Sequence, residues 1–218
     1  IVFTNVVDDN FDVDLGAKVN AQYGLVVQGP LSSDSGFEMD NNPNNNSAEP
    51  RTEINLANFT LIGVNSSEGN GIHFRTGVGF NGYNVFVSGF GDECVDLDDA
   101  ETFTNAGSPG NLTGNLTIQG SALGSCANGN FEDSQDEAFL VSDWWNSQGN
   151  LTGLDPMFVP GTVFPSEGSP LLDSSSVVPQ SVFFNRETHI GAFRSQNDRW
   201  TDGWTFQLEE TIQQALGQ

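Results

Sequence analysis

A short pattern of polar and apolar residues returns four times along this chain: "NFDVDL" at 10–15, "GFEMDN" at 36–41, "GIHFRT" at 71–76 and "CVDLDD" at 94–99. Each runs small or polar, apolar, polar, apolar, charged, and the leading apolar residues Phe11, Phe37, Ile72 and Val95 stand 26, 35 and 23 residues apart. A second strand-like class alternates with the first: "YGLVVQG" at 23–29, "ANFTLIG" at 57–63, "YNVFVSG" at 83–89 and "GNLTIQG" at 114–120, all ending in glycine. A unit of this size with two short strands cannot bury its own apolar face, but stacked units share a continuous core. The expected fold is therefore all-β, a right-handed parallel β-helix, with an antiparallel sandwich as the alternative.

Stacking turns each position into a column, because successive side chains of a strand point to opposite faces. Phe11, Val13 and Leu15 are expected inside. Outside, one column reads Asp12, Glu38, His73, Asp96 and its neighbour reads Asp14, Asp40, Arg75, Asp98. Members of a column on adjacent strands lie about 4.8 Å apart, where like charges repel by about 1 kcal/mol in water and by more near a protein surface. Arg75, between Asp40 and Asp98, is the expected compensator. Calcium is the other, through Asp14, Asp40 and Asp98, because paired carboxylates supply the oxygens it takes. "NFDVDLG" resembles the start of an EF-hand loop only superficially: its glycine is one place late, and Ala21 stands where the final glutamate belongs. The plain alternative is a solvated acidic face with no ion.

The charge balance narrows the partners. With 29 acids against 6 bases and a formal charge of −23, the chain is unsuited to nucleic acid or an anionic membrane. No apolar run reaches the roughly 20 residues of a membrane span. Cys94 and Cys126 make an even count, for which one disulfide in an oxidising compartment is the expectation and two buried thiols the alternative. The opening "IVFTNVV" lacks a methionine, which predicts a leader or longer N-terminal region removed from it.

The four-coil pattern followed by "DPMFVPGTVFPSEGSPLLD" at 155–173 resembles bacterial secreted right-handed β-helix proteins of the pectate-lyase-like superfamily, and "HIGAFRSQNDRWTDGWT" at 189–205 resembles a tail of some of those surface proteins. The resemblance implies coils over residues 1–155, then over 156–218 a last coil, a capping tail and a short helix, as one domain. The helix is expected within "FQLEETIQQALGQ" at 206–218, where Leu208, Ile212 and Leu216 share a face. In that superfamily lyases pair calcium with a basic side chain and hydrolases use groups of aspartates; an enzyme of either kind would draw on Asp96, His73 and Arg75.

Loop 40–53, "DNNPNNNSAEPRTE", explains the long 35-residue spacing, and Trp144, Trp145, Trp200 and Trp204 suit either sugar stacking or packing as lids. Sequons at Asn45, Asn58, Asn65, Asn111, Asn115 and Asn150 would be used only in a eukaryotic secretory pathway. The expected function is that of a non-catalytic extracellular or cell-surface β-helix, structural or adhesive, self-associating through its coil ends into a homo-oligomer or fibre. The alternative binds or degrades a glycan at Asp12, Glu38, His73 and Asp96. No cofactor is required by either reading, calcium being the candidate.

Overall fold

The computed structural model describes residues 1–30, 33–65, 68–173, 178 and 181–217. Nine strands come first: β1 (Val2–Thr4), β2 (Phe11–Val13), β3 (Lys18–Val27), β4 (Phe37–Asp40), β5 (Glu53–Ile62), β6 (Ile72–Arg75), β7 (Gly79–Tyr83), β8 (Phe86–Ser88) and β9 (Val95–Leu97). Helix α1 (Ala100–Ala106) follows, then β10 (Leu116–Gln119), β11 (Ala122–Leu123), α2 (Val141–Ser147), a 3-10 turn (Pro170–Leu172) and α3 (Leu208–Ala215). Among the described residues all pairs between these strands are parallel. The strands form a seven-stranded sheet, β1-β3-β5-β7-β10 with β8 and β11 beside it, and a four-stranded sheet, β2-β4-β6-β9. The chain visits the two sheets alternately, so each repeat adds one rung to both.

The four-stranded sheet keeps the register expected from the repeat. Phe11 pairs with Phe37, Phe37 with Ile72, and Ile72 with Val95. These side chains enter a core that continues through Phe59, Phe74, Phe80 and Trp144, with the Phe37 and Phe59 rings edge to face at 5.5 Å. The close approach is only open to glycine at Gly24, where a Cβ would sit 1.9 Å from the Phe59 ring. Leu15 does not point inward: it is 64 % exposed, because β2 ends at Val13 and the chain turns through Leu15 at φ 49°.

The glycine-ended class is registered differently from its sequence alignment. Val27 pairs with Ile62, one place away from the register that matches Gly29 to Gly63. Leu116–Gln119 pairs with Phe80–Tyr83 rather than with "YNVFVSG", while Ala122 meets Phe86. The cause is a bend within each long rung. Tyr23, Asn58, Asn84 and Gly120 occupy equivalent rungs, all with φ between 56° and 64°, a left-handed conformation that Asn and Gly tolerate best. Gly120 belongs to this bend and is not the end of a strand. Along the outer edge Asn20, Asn55, Asn81 and Thr117 hydrogen-bond in a ladder at 3.0–3.1 Å.

Beyond the bend both faces of the sheet are buried, which is why these strands read as unbroken apolar runs. Val26 and Leu61 face the core, whereas Leu25, Val27, Ile62 and Phe86 face Phe164, Ile190, Phe193, Leu208 and Ile212 of the C-terminal segment. That segment, expected as a lid over the last coil, is instead a strap along the outside of the seven-stranded sheet. Its contacts run back toward the first coil: Gly191 N–H to Asn84 O at 2.7 Å, Ala192 N–H to Thr60 Oγ1 at 2.9 Å, Asn185 N–H to Gln22 Oε1 at 2.8 Å, and Asn5 Nδ2 to Thr211 Oγ1 at 2.6 Å. Helix α3 lies within the expected 206–218, whose Gln218 is outside the described residues.

The end of the core is filled from α2, whose Trp144 and Trp145 are both fully buried and donate from Nε1 to Leu116 O and Leu151 O at 3.3 Å. Helices α1 and α2 have seven residues each, too short for a periodic sequence signal. Loop 40–53 is tied down by Asn41, whose side chain donates to Asn46 O and Ala48 O at 3.1 Å and accepts from Thr52 N–H at 2.9 Å. Of the sequon asparagines, Asn58 is buried and donates to His189 O at 2.9 Å, which bars a glycan there in the folded chain; Ser66 and Ser67, in the sequon of Asn65, lie outside the described residues.

Candidate functional site

Strands β2, β4, β6 and β9 are three or four residues long, so each presents one or two side chains outward before the chain turns. Register aligns Asp12 with Glu38, Glu38 with His73, and His73 with Asp96. In the neighbouring column Asp40 pairs with Arg75. All four expected ligand-binding residues therefore share one strip.

Charge on the strip is compensated locally. Arg75 grips Asp40 with two bonds, Nε to Oδ1 at 3.1 Å and Nη2 to Oδ2 at 2.8 Å, and Nη2 also bonds Glu38 Oε1. The fork geometry is the strong form of an Arg–carboxylate pair. Asp98, expected beside Arg75, is instead 2.9 Å from His73 Nε2, which also lies 3.4 Å from Asp96 Oδ2. Hydrogen bonding to Asp40 raises the proton affinity of Arg75, which keeps the guanidinium protonated and so unavailable as a base.

The strip is less exposed than an outward column implies. Asp96 has a side chain only 6 % exposed; Asn70 Nδ2 donates to its Oδ2 at 3.1 Å, and its Oδ1 has no hydrogen-bond partner among the described residues. Burial pushes the Asp96 carboxyl up to about 7 against the pull of His73, with Asp98, Glu132 and Glu93 adding to the rise. Burial likewise pushes Glu38 up to about 8, helped by a hydrogen bond with Asp9 and by the charges of Asp9 and Asp40, and opposed by Arg75. Asp12 is raised by burial and then by Asp14, Asp9 and Asp40.

Asp9, Asp34, Asn70 and Glu132 were not among the residues expected from sequence. Asp9 accepts from Ser35 N–H at 2.9 Å, and Asn70 accepts from Glu93 N–H at 3.1 Å. Burial raises Asp34, which also feels Asp9, Asp8 and His73. The signal for three of them was present: extending the repeat two or three residues ahead of each strand brings Asp34 into line with Asp8 and Asp92, and Asp9 with Asn70 and Glu93. The three acids expected to hold calcium do not gather. Asp14 is exposed at the turn after β2 and Asp40 is taken by Arg75. Among the described residues the group whose potential metal-ligating atoms all lie within 4.8 Å of one another is His73, Asp96 and Asp98. The cysteines do meet, as a Cys94–Cys126 disulfide with Cα atoms 5.5 Å apart, anchoring the start of β9.

Stability should follow the Glu38 proton. A carboxyl raised from 4.5 to about 8 by folding stabilises the fold fully below 4.5 and loses that contribution as pH rises through 8. Asp9, Asp12, Asp40, His73 and Arg75 surround it, and Arg75 alone is a permanent cation. The thermal midpoint should fall between pH 5 and 8.5, and more shallowly in Glu38→Gln, as scanning calorimetry across that range would record; an equal slope in the variant would remove Glu38 as the cause.

The family model for a pectate-lyase-like beta helix domain matches residues 1–158. No curated protein and no solved structure matched the chain.

Proposed function

Because this chain belongs to the pectate-lyase-like β-helix family, we propose that it works outside the cell as an adhesive β-helix that binds carbohydrate across the strip on its four-stranded sheet. The observation that carries this reading is the row of Asp12, Glu38, His73 and Asp96 in register on four adjacent strands. Stacking alone would be served as well by serine or threonine at those positions. Asp12 is exposed, but Glu38 is half-buried and Asp96 buried; carboxyls withdrawn from water oppose folding unless they are well paired, and departures from good local chemistry concentrate at functional sites. The disulfide supports an oxidising compartment. Right-handed winding into a closed solenoid is part of the same reading, supported by the strong right-handed preference of parallel crossovers.

A net charge of −23 disfavours a polyuronate, and Arg75 is already engaged by two carboxylates. Neutral or amino-sugar glycans fit better, with their hydroxyls donating to Asp12 and Glu38. On a glycan panel, neutral or amino-sugar polymers should bind and polyuronates should not. Asp12→Asn should weaken binding about 10- to 100-fold, the effect of a lost hydrogen bond to a charged group, and Glu38→Gln, which replaces a carboxyl that keeps its proton near neutral pH, by about 2- to 10-fold. Thr117→Ala, on the other sheet, should leave it unchanged. Silence across the panel, or equal binding by all variants, would sink the proposal.

Glycoside hydrolysis is a second reading, favoured by Glu38 holding a proton near neutral pH. Asp12 on the adjacent strand is about 4.8 Å away at the backbone, near the carboxyl separation of about 5–5.5 Å in retaining enzymes. Release of reducing ends with retention, abolished by Glu38→Gln, is its expected signature.

A further inference from the structure

We infer that His73, Asp96 and Asp98 hold one divalent transition-metal ion, with zinc as the reference, between β6 and β9. Register places His73 against Asp96, and Asp98, just past the end of β9, meets the same imidazole at 2.9 Å. The His73 Nε2 to carboxylate distances are 2.9 and 3.4 Å. Donors bound at about 2.0–2.1 Å around a tetrahedral ion lie about 3.3 Å from one another, close to both distances from His73, and the three ligand atoms all lie within 4.8 Å of one another.

Three acidic or imidazole groups alone would also suit an ordinary ion pair. What separates the two is Asp96. Its side chain is more than nine-tenths buried, one carboxylate oxygen accepts from Asn70, and the other, Oδ1, has no partner among the described residues. An unpaired buried acceptor opposes folding by about 1–3 kcal/mol, and by more when it is charged; a cation held by both oxygens of this carboxylate would remove that penalty. Asn70 is itself fixed by Glu93 N–H at 3.1 Å, the outer support that metal-binding side chains usually have.

The donor set selects the ion. Calcium takes an all-oxygen shell of six to eight ligands, whereas an imidazole with two carboxylates suits zinc and its neighbours. Three protein donors leave a position open to water or a ligand, as in non-structural zinc centres.

The test uses the full chain, stripped with chelator and titrated calorimetrically with Zn2+ at about 0.15 M salt, where charge attraction beyond ~8 Å is screened. One ion per chain is expected. His73→Gln and Asp98→Asn should each weaken it at least ~10-fold, since even supporting residues around a metal contribute that much. Co2+ in place of Zn2+ should give a visible absorption band that both variants lose. Asp98 is 54 % exposed, so its amide variant should keep the fold even if the His73 variant does not. Absence of saturable binding, Zn2+ affinity unchanged in Asp98→Asn, or displacement of Zn2+ by equimolar Ca2+ would each overturn the assignment. No glycan is present in the titration, so its outcome is independent of carbohydrate binding.

Discussion

Trp144→Ala lowers the free energy of unfolding by about 3–5 kcal/mol, the range for truncating a buried tryptophan. The indole is fully buried, packs edge-on to Phe74 with ring centres 6.2 Å apart, and donates from Nε1 to Leu116 O at 3.3 Å. Helix α2 has seven residues, well below the length at which a helix holds itself in water. Its order therefore depends on what Trp144 and Trp145 bury. Removing one indole leaves a cavity at the end of the core and an unpaired Leu116 carbonyl, and frees the segment that closes the stack. Urea unfolding followed by near-ultraviolet circular dichroism would measure the loss. Trp204→Ala is the contrast: Trp204 is 58 % exposed, and surface changes of this kind stay within about 0.5 kcal/mol. Similar losses for the two variants would mean that α2 is not the element that closes the core.

Replacing both Cys94 and Cys126 with alanine destabilises the protein by about 3–4 kcal/mol, from the chain entropy that a cross-link removes from the unfolded state. The bond spans a sequence separation of 32 and joins the start of β9 to the loop after β11. Because Cys94 stands next to Val95, whose strand carries Asp96, the same bond steadies the strip that bears the candidate ligands. Reductant should lower the urea midpoint of the wild type to that of the double variant and leave the variant unmoved. A wild type insensitive to reductant in the unfolded state would contradict the cross-link.

The four-stranded sheet was legible because its rungs are short and each carries a strict alternation. Phe11, Phe37, Ile72 and Val95 could be aligned from hydrophobicity alone, and that alignment is the observed register. The seven-stranded sheet was not, because a left-handed residue interrupts four of its rungs, at Tyr23, Asn58, Asn84 and Gly120, and the strap buries its outer face. Alternation is lost there, and a shared glycine became a misleading marker: Gly29 and Gly63 differ by one place from the true pairing, and Gly120 sits in the bend. A one-place shift reverses which side chains face inward.

The membership of the strip was likewise readable, but its chemistry was not. Repetition and alternation are local properties, and they suffice to place Asp12, Glu38, His73 and Asp96 in one column. Which acid Arg75 grips, which acids His73 meets, and how deeply Asp96 is buried depend on side-chain reach across strands and on covering residues such as Asn70, distant in sequence. The sequence by itself determined the stacking of the short rungs and the column of Asp12, Glu38, His73 and Asp96, because both follow from a short-range pattern repeated at intervals. Only the tertiary structure decided that the tail straps a sheet rather than capping the stack, and that His73 turns to Asp98, since burial and electrostatic pairing are set by everything that surrounds a group.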